Sequence, residues 1–448
     1  MGAFKAYDIR GIWNKDFNKD TVYKIGFFLP KLLQTNKVVV GRDIRVSSNE
    51  VHESLLKGIL DAGADVWDLG LATTPMVYYA TNFLKSDASV QITASHNPPE
   101  YNGLKISRKG ALPVGGETGL KELEKLVEEG KITPSEKKGI IKDCSYVRDE
   151  YVKYLRSYVP DLSNLKITMD NSSGMANLVI KDILKEYPIH YLNDEFDGTF
   201  PAHEPNPLEV KNCQQLMDAV IADKADVGVI YDGDADRVMF IDEKGRFIQP
   251  DYVTAVIGLY YKEKGECGAC LQDIRTSRST TEYLEKLGYK VTTWKVGHAY
   301  AKLKIREISG IFGGELAGHY YFRDFGNCDS GVLASLLVLS VVSSLKKQGK
   351  TFSSLIDSIV VYKNSGEINF RLEHKDEAIK ALYDRFVNND SPLKVLDFDG
   401  YRIEFPTWWF NVRKSNTEPY LRIVCEAQSD VELDEKMNEI SKIIKSFS

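Results

Sequence analysis

The most distinctive segment of the sequence is an acidic turn, Asp232-Gly-Asp-Ala-Asp-Arg237, between two apolar runs typical of strands. Carboxylates at alternate positions of a turn can converge on one hard divalent cation, which prefers oxygen ligands. An EF-hand loop is the alternative interpretation, because Glu243 occupies its twelfth position. Arg237, however, stands where that loop requires glycine, and its flanks should be helices. The pattern therefore predicts a Mg²⁺ site with the ligands Asp232, Asp234 and Asp236.

A candidate nucleophile, Ser95, lies in the segment Thr93-Ala-Ser-His-Asn-Pro98, after an apolar run that ends at Ile92. Open α/β sheets bind ligands at the carboxyl ends of their strands, which is where this position would place the hydroxyl. The segment lacks the G-x-S-x-G pattern, so a serine hydrolase is disfavoured. Lys105, ten residues further along the chain, could return to the same pocket.

Two other segments suit a phosphorylated sugar. Arg413-Lys-Ser-Asn-Thr-Glu-Pro419, followed by Arg422, combines guanidinium groups, hydroxyls and a turn whose amides can point outward, a mixture that suits a phosphate dianion. Gly313-Gly-Glu-Leu-Ala-Gly-His319 holds Glu315 between glycines, which allow a ligand to approach the backbone closely. A carboxylate in such a loop can accept hydrogen bonds from two neighbouring sugar hydroxyls.

The elements that must position these motifs alternate between strands and helices through most of the chain. Apolar runs that end in loops predict strands at 37–41, 88–92, 166–169, 227–231 and 269–272. Asp43-Ile-Arg45 follows the first of these runs and Asp273-Ile-Arg275 follows the last, so one strand-to-loop pattern occurs twice. This internal echo favours repeated α/β domains.

The last part of the chain has a different organisation. Strands predicted at 366–371, 401–405, 409–412 and 421–425 are consecutive apart from a helical stretch over 375–386. This order predicts an α+β domain, closed by a helix that begins at the capping-box pattern Ser429-Asp-Val-Glu432. The predicted domains are 1–151, 152–251, 252–364 and 365–448.

The composition is that of a globular protein, since 43% of the 448 residues are hydrophobic and 27% are charged. A formal charge of -6 gives no general attraction to nucleic acid or to anionic membranes. The longest apolar run, 332–342, falls short of the ~20 residues that span a bilayer and predicts a buried helix. Because no secretory signal is recognised, we expect a cytoplasmic protein that binds neither nucleic acid nor membranes. The six cysteines do not indicate a disulfide framework.

In their order along the chain, the motifs resemble those of the α-D-phosphohexomutase superfamily, most closely the bacterial phosphomannomutase/phosphoglucomutase group. Phe4-Lys-Ala-Tyr-Asp-Ile-Arg-Gly11 resembles the amino-terminal motif of that family. The segments around Ser95, Asp232, Glu315 and Arg413 are similar to its phosphoserine, metal, sugar and phosphate loops. The resemblance covers essentially the whole chain. It implies an α/β protein with four domains around a central cleft: three repeated α/β domains with mixed sheets and a C-terminal α+β domain.

The resemblance also implies a role for each residue near the reacting group. Ser95 would carry the phosphoryl group and would bind Mg²⁺ together with the three aspartates. Lys105 would act as general base and acid near the reacting hydroxyl, with His96 beside it. Arg10 and Arg237 would support the same electrostatic centre.

On the substrate side, the resemblance implies that Glu315 accepts hydrogen bonds from the sugar 3- and 4-hydroxyls, away from C2, where glucose and mannose differ. The side chains implied to bind the sugar or its distal phosphate are Tyr7, Lys295, His298, Glu315, His319, Arg413, Ser415, Asn416, Thr417 and Arg422. The implied reaction is reversible phosphoryl transfer between C1 and C6 of mannose and glucose phosphates through a 1,6-bisphosphate. A hexose 1,6-bisphosphate would prime the enzyme, which would be a monomer or a homodimer.

Three other interpretations stay open to different degrees. Ala317 stands where the family often has serine, so a phosphoglucosamine mutase or a dedicated phosphoglucomutase shares the same machinery and is not separated by sequence. A metal-dependent phosphomonoesterase is disfavoured because we find no nucleophilic-aspartate motif with its downstream lysine. A non-catalytic sugar-phosphate sensor should have lost Ser95 or a metal-loop aspartate, and all of them are present.

Overall fold

The computed structural model describes residues 2–415 and 420–447, and its strands form four sheets. The first sheet contains β1 (Ile9–Ile12), β2 (Lys37–Arg42), β3 (Asp65–Leu71), β4 (Ala88–Ile92), β5 (Tyr101–Arg108), β6 (Leu112–Pro113) and β7 (Ile141–Asp143). The second contains β8 (Ile167–Asp170), β9 (Ile189–Leu192), β10 (Val227–Tyr231), β11 (Val238–Asp242) and β12 (Phe247–Ile248). The third contains β13 (Ala269–Asp273), β14 (Lys290–Trp294), β15 (Phe312–Gly314), β16 (Tyr320–Phe322) and β17 (Cys328–Asp329). The fourth contains β18 (Lys363–Asn364), β19 (Ile368–Arg371), β20 (Lys394–Leu396), β21 (Tyr401–Glu404), β22 (Trp408–Lys414) and β23 (Tyr420–Ala427).

We number domains I to IV by these sheets, and helices pack against each of them. From domain I to domain II the helices are α1 (Lys19–Leu33), α2 (Ser48–Asp61), α3 (Thr74–Phe83), α4 (Leu120–Glu129), α5 (Val147–Arg156), α6 (Ile180–Ile183) and α7 (Gln214–Asp223). In domains III and IV they are α8 (Pro250–Glu263), α9 (Arg278–Lys286), α10 (His298–Glu307), α11 (Gly331–Lys347), α12 (Phe352–Ile359), α13 (Lys375–Tyr383) and α14 (Asp430–Lys445).

The first three sheets share one four-strand unit. In domain I, β2 lies between the parallel strands β3 and β4, and β5 runs antiparallel to β4. In domain II, β8 has β9, β10 and β11 in the same places. In domain III, β13 has β14, β15 and β16 in those places. The prediction of three repeated α/β domains with mixed sheets is therefore confirmed.

The repeat brings three of the motifs to equivalent positions. Residues 93–100 connect β4 to β5, residues 232–237 connect β10 to β11, and residues 315–319 connect β15 to β16. Each loop leaves the carboxyl end of a strand that runs parallel to the central strand of its sheet. The candidate nucleophile, metal ligands and sugar ligand are thus carried by corresponding loops of three related domains.

Domain IV is built differently, as predicted. Its sheet has the antiparallel order β18-β23-β22-β21-β20, and β19 also pairs with β23. Helices α13 and α14 pack against it over a core that includes Phe386, Trp408 and Phe410. The closing helix begins where the capping box predicts, because the hydroxyl of Ser429 accepts the Glu432 N–H at 3.2 Å.

Helix α11 lies inside the molecule, which confirms the buried helix predicted from the apolar run. Its residues from 332 to 339 are fully buried in a core cluster that spans domains I to III. Among the described residues, no single helix combines the length and the apolar character needed to cross a membrane, and α11 with α12 does so only as a pair bent by 105°. The six cysteines are all free thiols. The predicted domain limit at 151 falls inside α5, and the limits stay predictions.

Candidate active site

Ser95 of domain I meets the metal loop of domain II directly. Its side chain is buried, its backbone is left-handed (φ 52°), and Oγ donates to Oδ2 of Asp232 at 2.9 Å. The two loops come this close because Gly233 has no side chain: a Cβ there would stand 2.5 Å from the Ser95 carbonyl oxygen. The predicted nucleophile and the first predicted metal ligand are therefore neighbours in space.

The three aspartates of the metal loop form a compact buried cluster. They offer carboxylate oxygens that all lie within 4.8 Å of one another. Burial raises the pKa of Asp232, and the charges of Asp234 and Asp236 raise it further. One carboxylate oxygen of Asp234 and one of Asp236 accept no hydrogen bond from any residue that the structure describes. Buried carboxylate oxygens without donors are unfavourable unless a cation compensates them, so this donor set fits Mg²⁺.

Lys105 of β5 lies against this cluster. Its ammonium is 2.7 Å from Oδ2 of Asp234 and also forms an ion pair with Asp236. Burial lowers the pKa of Lys105, but the two carboxylates outweigh burial and raise it. In this arrangement Lys105 is a buried ammonium whose charge would compete with a metal ion for the same oxygens. Thr74, at the start of α3, donates its hydroxyl to Asp234 as well.

The other predicted groups near Ser95 are also brought together. Nδ1 of His96 is 3.3 Å from the Ser95 hydroxyl, and Arg10 donates to the Asn97 side chain at 2.9 Å while pairing with Asp8. Burial lowers the pKa of His96, and the cations Arg237 and Arg10 lower it further, so its imidazole is neutral. A neutral imidazole and two arginines suit a site that must bind phosphoryl oxygens and move a proton.

Arg237 connects the metal loop to domain III. Its Nε donates to Nε2 of His319 at 3.0 Å, and Nδ1 of His319 is 2.7 Å from Asp329. Because Nε2 accepts, the proton of the imidazole lies on Nδ1 and is donated to Asp329. The buried Lys302 pairs with the same aspartate at 2.8 Å. Neither Asp329 nor Lys302 was predicted from the sequence.

Glu315 of the sugar loop is buried next to this chain of contacts. The hydroxyl of Tyr321 donates to Oε1 of Glu315 at 2.9 Å, and the backbone N–H of Glu315 donates to the His319 carbonyl at 2.9 Å. Burial raises the pKa of Glu315, whereas the neighbouring His319 acts in the opposite direction. The loop is closed on itself, so the carboxylate has a fixed place from which to accept hydrogen bonds.

Tyr7 and the segment before α10 complete the domain III side. The Tyr7 hydroxyl donates to the Val296 carbonyl at 3.4 Å, and its ring centroid is 6.2 Å from that of His298. The His298 ring is in turn 5.9 Å from His319. Three of the predicted substrate-binding rings therefore lie in a row. The ammonium of Lys295 lies 5.5 Å from the centroid of the Tyr300 ring.

Domain IV reaches the site through two arginines that pair with carboxylates. Arg413 is buried, with Nε 3.4 Å from Asp399. The other oxygen of Asp399 accepts the Val296 N–H at 2.9 Å, which joins domain IV to domain III. Arg422 donates to Glu367 at 2.9 Å.

Two of the predicted phosphate ligands, Asn416 and Thr417, lie outside the described residues. Ser415 is the last described residue before them, and its backbone N–H donates to the Tyr420 carbonyl at 2.9 Å. The phosphate loop is therefore described by its two flanking strands, β22 and β23, and by Ser415.

Comparison with family models assigns the whole architecture. The α/β/α domains I, II and III of the phosphoglucomutase/phosphomannomutase family match residues 1–133, 149–245 and 249–362, and its C-terminal domain matches residues 367–443. The chain belongs to the phosphoglucomutase/phosphomannomutase family. The resemblance seen in the motifs is thereby confirmed.

Full-length relatives agree with this assignment. The phosphohexomutase is 36% identical over 463 residues to a phosphomannomutase of Escherichia coli, with 99% of each chain covered. It is 35% identical over 452 residues to the phosphohexose mutases of Xanthomonas campestris pv. campestris, again with 99% of each covered.

Solved structures show the same fold. A phosphoglucomutase/phosphomannomutase family protein from Burkholderia thailandensis has a TM-score of 0.90 at 27% identity, covering 99% of this chain and 97% of that one. The Aspergillus fumigatus N-acetylphosphoglucosamine mutase, solved with GlcNAc-6P and magnesium, has a TM-score of 0.62 at 15% identity, with 99% and 96% covered. The second likeness concerns the fold alone.

The chain is therefore an isomerase that catalyses intramolecular phosphoryl transfer in hexose phosphates. Such a phosphohexomutase must hold a phosphoryl donor, a sugar and a second phosphate at one place. The Ser95–Asp232 bond joins domain I to domain II, and the Arg237–His319 bond joins domain II to domain III. The nucleophile, the acidic cluster and the sugar loop are thereby connected.

Several polar residues around the site of this phosphohexomutase were missed by sequence reasoning. They are Arg45, Thr74, Asn97, Arg275, Lys302, Asp329, Glu367 and Asp399. Asn97 stands inside the quoted Thr93–Pro98 segment but was given no role of its own. Arg45 and Arg275 carried a signal through the repeated Asp-Ile-Arg pattern. That signal was interpreted as a domain repeat and not as part of the site.

Proposed function

We propose that this phosphohexomutase interconverts the 1- and 6-phosphates of mannose and of glucose, with Ser95 as the phosphoryl carrier. The observation that carries the proposal is the hydrogen bond from the Ser95 hydroxyl to Asp232, inside a cluster of three buried carboxylates. Asp232, Asp234 and Asp236 would hold Mg²⁺ together with the phosphoryl group of Ser95. When bound, the metal supplies positive charge to the transferring phosphoryl oxygens.

The chain's own residues account for the two transfers. A substrate hydroxyl oxygen attacks the phosphorus carried on Ser95, the bond from phosphorus to Oγ breaks, and one proton passes from that hydroxyl through the site to the released Oγ. His96 lies beside the Ser95 hydroxyl, and Lys105 lies in the carboxylate cluster that this hydroxyl contacts, so these two side chains would relay the proton while Arg10 and Arg237 would bind the equatorial oxygens. The 1,6-bisphosphate then turns over, so that its other phosphate returns a phosphoryl group to Ser95. A hexose 1,6-bisphosphate serves as the primer.

Sugar binding would rest on Glu315, which accepts hydrogen bonds from the 3- and 4-hydroxyls. These hydroxyls have the same configuration in glucose and mannose, which is why one enzyme can use both. The remaining substrate ligands of the proposal are Tyr7, Lys295, His298, His319, Arg413, Ser415, Asn416, Thr417 and Arg422. We further propose that the enzyme is cytoplasmic, acts as a monomer or homodimer, and binds neither nucleic acid nor membranes. Its domain limits are proposed near 151, 252 and 365.

The carrier role is tested by intact-mass analysis after incubation with glucose 1,6-bisphosphate. We expect one phosphoryl group on the wild type, located at Ser95, and none on Ser95→Ala, which should lose nearly all turnover. Ser95 is buried and its hydroxyl donates to Asp232, so the variant should keep its fold and lose at most about 1–3 kcal/mol of stability. Ser47→Ala, which changes another serine of domain I, serves as the control. Full activity of Ser95→Ala, or a phosphoryl group elsewhere, would contradict the assignment.

The sugar assignment is tested by turnover of mannose 1-phosphate, glucose 1-phosphate and glucosamine 1-phosphate. The values of kcat/KM for mannose and glucose should lie within about one to two decades of each other. A clear preference for glucosamine 1-phosphate would favour a phosphoglucosamine mutase, and a strong preference for glucose would favour a dedicated phosphoglucomutase. Loss of activity with EDTA and its recovery with Mg²⁺ test the metal.

A further inference from the structure

The first Asp-Ile-Arg turn places an arginine behind the loop that carries Ser95. Arg45 follows β2, and its side chain is fully shielded from solvent. Asp43 orients it, because the Asp43 carboxylate accepts the backbone N–H of Arg45 at 3.1 Å and pairs with Nε at 3.2 Å. The hydroxyl of Ser48 donates to the same carboxylate. Asp43 therefore fixes the backbone and the Nε end of Arg45, and the two terminal nitrogens remain to bind other groups.

The terminal nitrogens of Arg45 donate to four backbone carbonyls, all around the Ser95 loop. Nη2 donates to the carbonyls of Ser95 at 2.8 Å and Asn97 at 2.6 Å. Nη1 donates to those of Pro98 at 2.7 Å and Tyr101 at 3.1 Å. A planar fork with several fixed donors can satisfy such a set, whereas a lysine ammonium is a single point with three rotatable donors.

These bonds act on a loop that needs support. Ser95 has a left-handed backbone (φ 52°), which side chains other than glycine adopt only when the surroundings enforce it. Its N–H donates to the hydroxyl of Thr93 at 2.8 Å, and its carbonyl accepts from Arg45. The residue is therefore fixed on both sides of its Cα, and this conformation directs Oγ towards Asp232.

Domain II covers the arginine from the other side. The Phe200 ring centroid lies 5.2 Å from the guanidinium carbon of Arg45. Gly198 packs so closely that a Cβ would stand 2.3 Å from the Ile44 carbonyl oxygen. Arg45 is consequently enclosed where domain I meets domain II, the two domains whose loops supply Ser95 and the metal ligands.

We propose that Arg45 is a positioning residue for phosphoryl transfer, which sets the direction of the Ser95 hydroxyl by fixing the backbone of its loop. The inference rests on the proposed function, since it presumes that Ser95 is the carrier. In-line transfer depends on the alignment of donor and acceptor atoms, and a misplacement of about 1 Å can reduce a rate by about 100-fold. Arg45 donates to the backbone carbonyl of Ser95 and not to Oγ, so it acts on the reacting hydroxyl only through the loop backbone.

The test is Arg45→Lys, which keeps the charge and removes the fork. We expect kcat and the single-turnover rate of Ser95 phosphorylation by glucose 1,6-bisphosphate to fall about 10- to 100-fold. KM for mannose 1-phosphate should stay within about twofold. Mg²⁺ affinity of the unphosphorylated enzyme, measured by titration calorimetry, should stay within about twofold, because three of the four proposed ligands are aspartates of domain II. A purely structural defect would instead weaken metal and substrate binding together with turnover.

Arg306→Lys is the matched control. Arg306 also donates to three backbone carbonyls, those of Lys302, Gly110 and Gly326, and none of them belongs to the Ser95 loop. Its kcat should stay within about twofold of the wild type. If Arg45→Lys does not fold, Asp43→Asn keeps the arginine, loosens its base and should lower kcat in the same direction by a smaller factor.

The possible outcomes separate this inference from the proposed function. Turnover by a wild type that is never phosphorylated on Ser95 would contradict the carrier role and the role of Arg45 with it. A phosphorylated wild type with an Arg45→Lys variant of equal kcat would contradict the role of Arg45 alone. A joint loss of Mg²⁺ affinity, KM and kcat in a folded variant would also overturn it.

Discussion

The two Asp-Ile-Arg turns have the same local structure, but their arginines bind different kinds of partner. The carboxylates of Asp43 and Asp273 each accept the N–H of the arginine two residues later, at 3.1 and 2.7 Å. Arg45 then donates to carbonyls around its own domain's loop, whereas Arg275 donates to Glu367 of domain IV at 3.1 Å. The local sequence fixes the backbone of each arginine, and the packing of the domains determines which groups its guanidinium binds.

The partners of the two arginines also differ in how easily they can be exchanged. Backbone carbonyls around the Ser95 loop are fixed to the chain, and the arginine that binds them is fully shielded from solvent. The Glu367 carboxylate is 19% exposed and is shared with Arg422, a predicted phosphate ligand. A substrate phosphate can replace a carboxylate as the partner of an arginine, since both accept its forked donors. The difference indicates a rigid joint at the proposed phosphoryl carrier, between Arg45 and the Ser95 loop, and an exchangeable joint at the predicted phosphate ligands, between Arg275, Glu367 and Arg422.

The largest expected effect is that of Lys105→Met, at the rigid joint. Loss of a general acid and base should lower kcat by about 10²- to 10⁴-fold. Mg²⁺ should bind more tightly, because the ammonium no longer competes for Asp234 and Asp236. Steady-state kinetics and titration calorimetry measure the two effects, with the exposed Lys109→Met as control. Weaker Mg²⁺ binding in Lys105→Met would show that the lysine assists the metal site.

At the exchangeable joint, Arg413→Ala should raise KM for the hexose phosphate by about one to two decades, since a hydrogen bond to a charged group contributes about 1.5–3 kcal/mol. Lys414→Ala, which changes the next residue and an exposed pair with Asp376, should leave KM nearly unchanged. Small-angle scattering should show compaction on substrate binding in the wild type only. An unchanged KM in Arg413→Ala would remove this residue from the phosphate site.

The mirrored substitution Arg275→Lys tests the comparison itself. Because Arg275 pairs with a partly exposed carboxylate of domain IV, we expect KM to rise by about three- to tenfold, and kcat to stay within about twofold. Arg45→Lys should show the reverse division between the two constants. Parallel kinetics of both variants measure this. A fall in kcat for Arg275→Lys as large as for Arg45→Lys would erase the distinction between the joints.

The smallest expected effect is on the pH dependence of stability, through Asp251, which contacts Ser277 just after the Asp273–Arg275 turn. Asp251 is buried and accepts the Ser277 N–H at 2.8 Å. Burial raises the pKa of Asp251 to about 7. The hydrogen bond from Ser277 lowers this pKa, and the charge of the nearby Glu426 raises it. Its folded pKa exceeds its unfolded value of about 3.9, so its contribution to stability is complete below that value and is lost as pH rises through about 7. Tm should therefore fall between pH 5 and pH 8 by a few degrees more in the wild type than in Asp251→Asn. Parallel melting curves would disprove the shift.

Much of the fold was readable because its signals are local. The apolar runs at 88–92 and 227–231 coincide with β4 and β10, since each is an uninterrupted buried strand bounded by a loop. Strands with mixed ends were less sharply predicted, and β13 includes Asp273, beyond the apolar run. The limit at 151 fell within α5 because the polar and apolar residues there continue a helix instead of a linker.

The site could be predicted only in part, because only those of its residues that lie in local sequence motifs give a signal. Ser95, the metal-loop aspartates and Glu315 stand in compact segments whose composition already indicates chemistry. Asp329 and Glu367 act through partners that lie in other elements, such as His319 and Arg275. Contacts of this kind are created by tertiary packing, and no spacing in the sequence encodes them.

The equivalence of the three loops gives this architecture a modular character. The β4–β5, β10–β11 and β15–β16 connections occupy equivalent places in three similar sheets, yet one presents a hydroxyl, one a set of carboxylates and one the predicted sugar acceptor. Each loop is anchored by its own pair of strands, but the loops meet through the Ser95–Asp232 and Arg237–His319 contacts, so only positions outside these contacts can vary independently. Selectivity can consequently be redesigned, by evolution or in the laboratory, at positions 316 and 317 of the third loop, provided that His319 and its bond with Arg237 of the metal loop are kept.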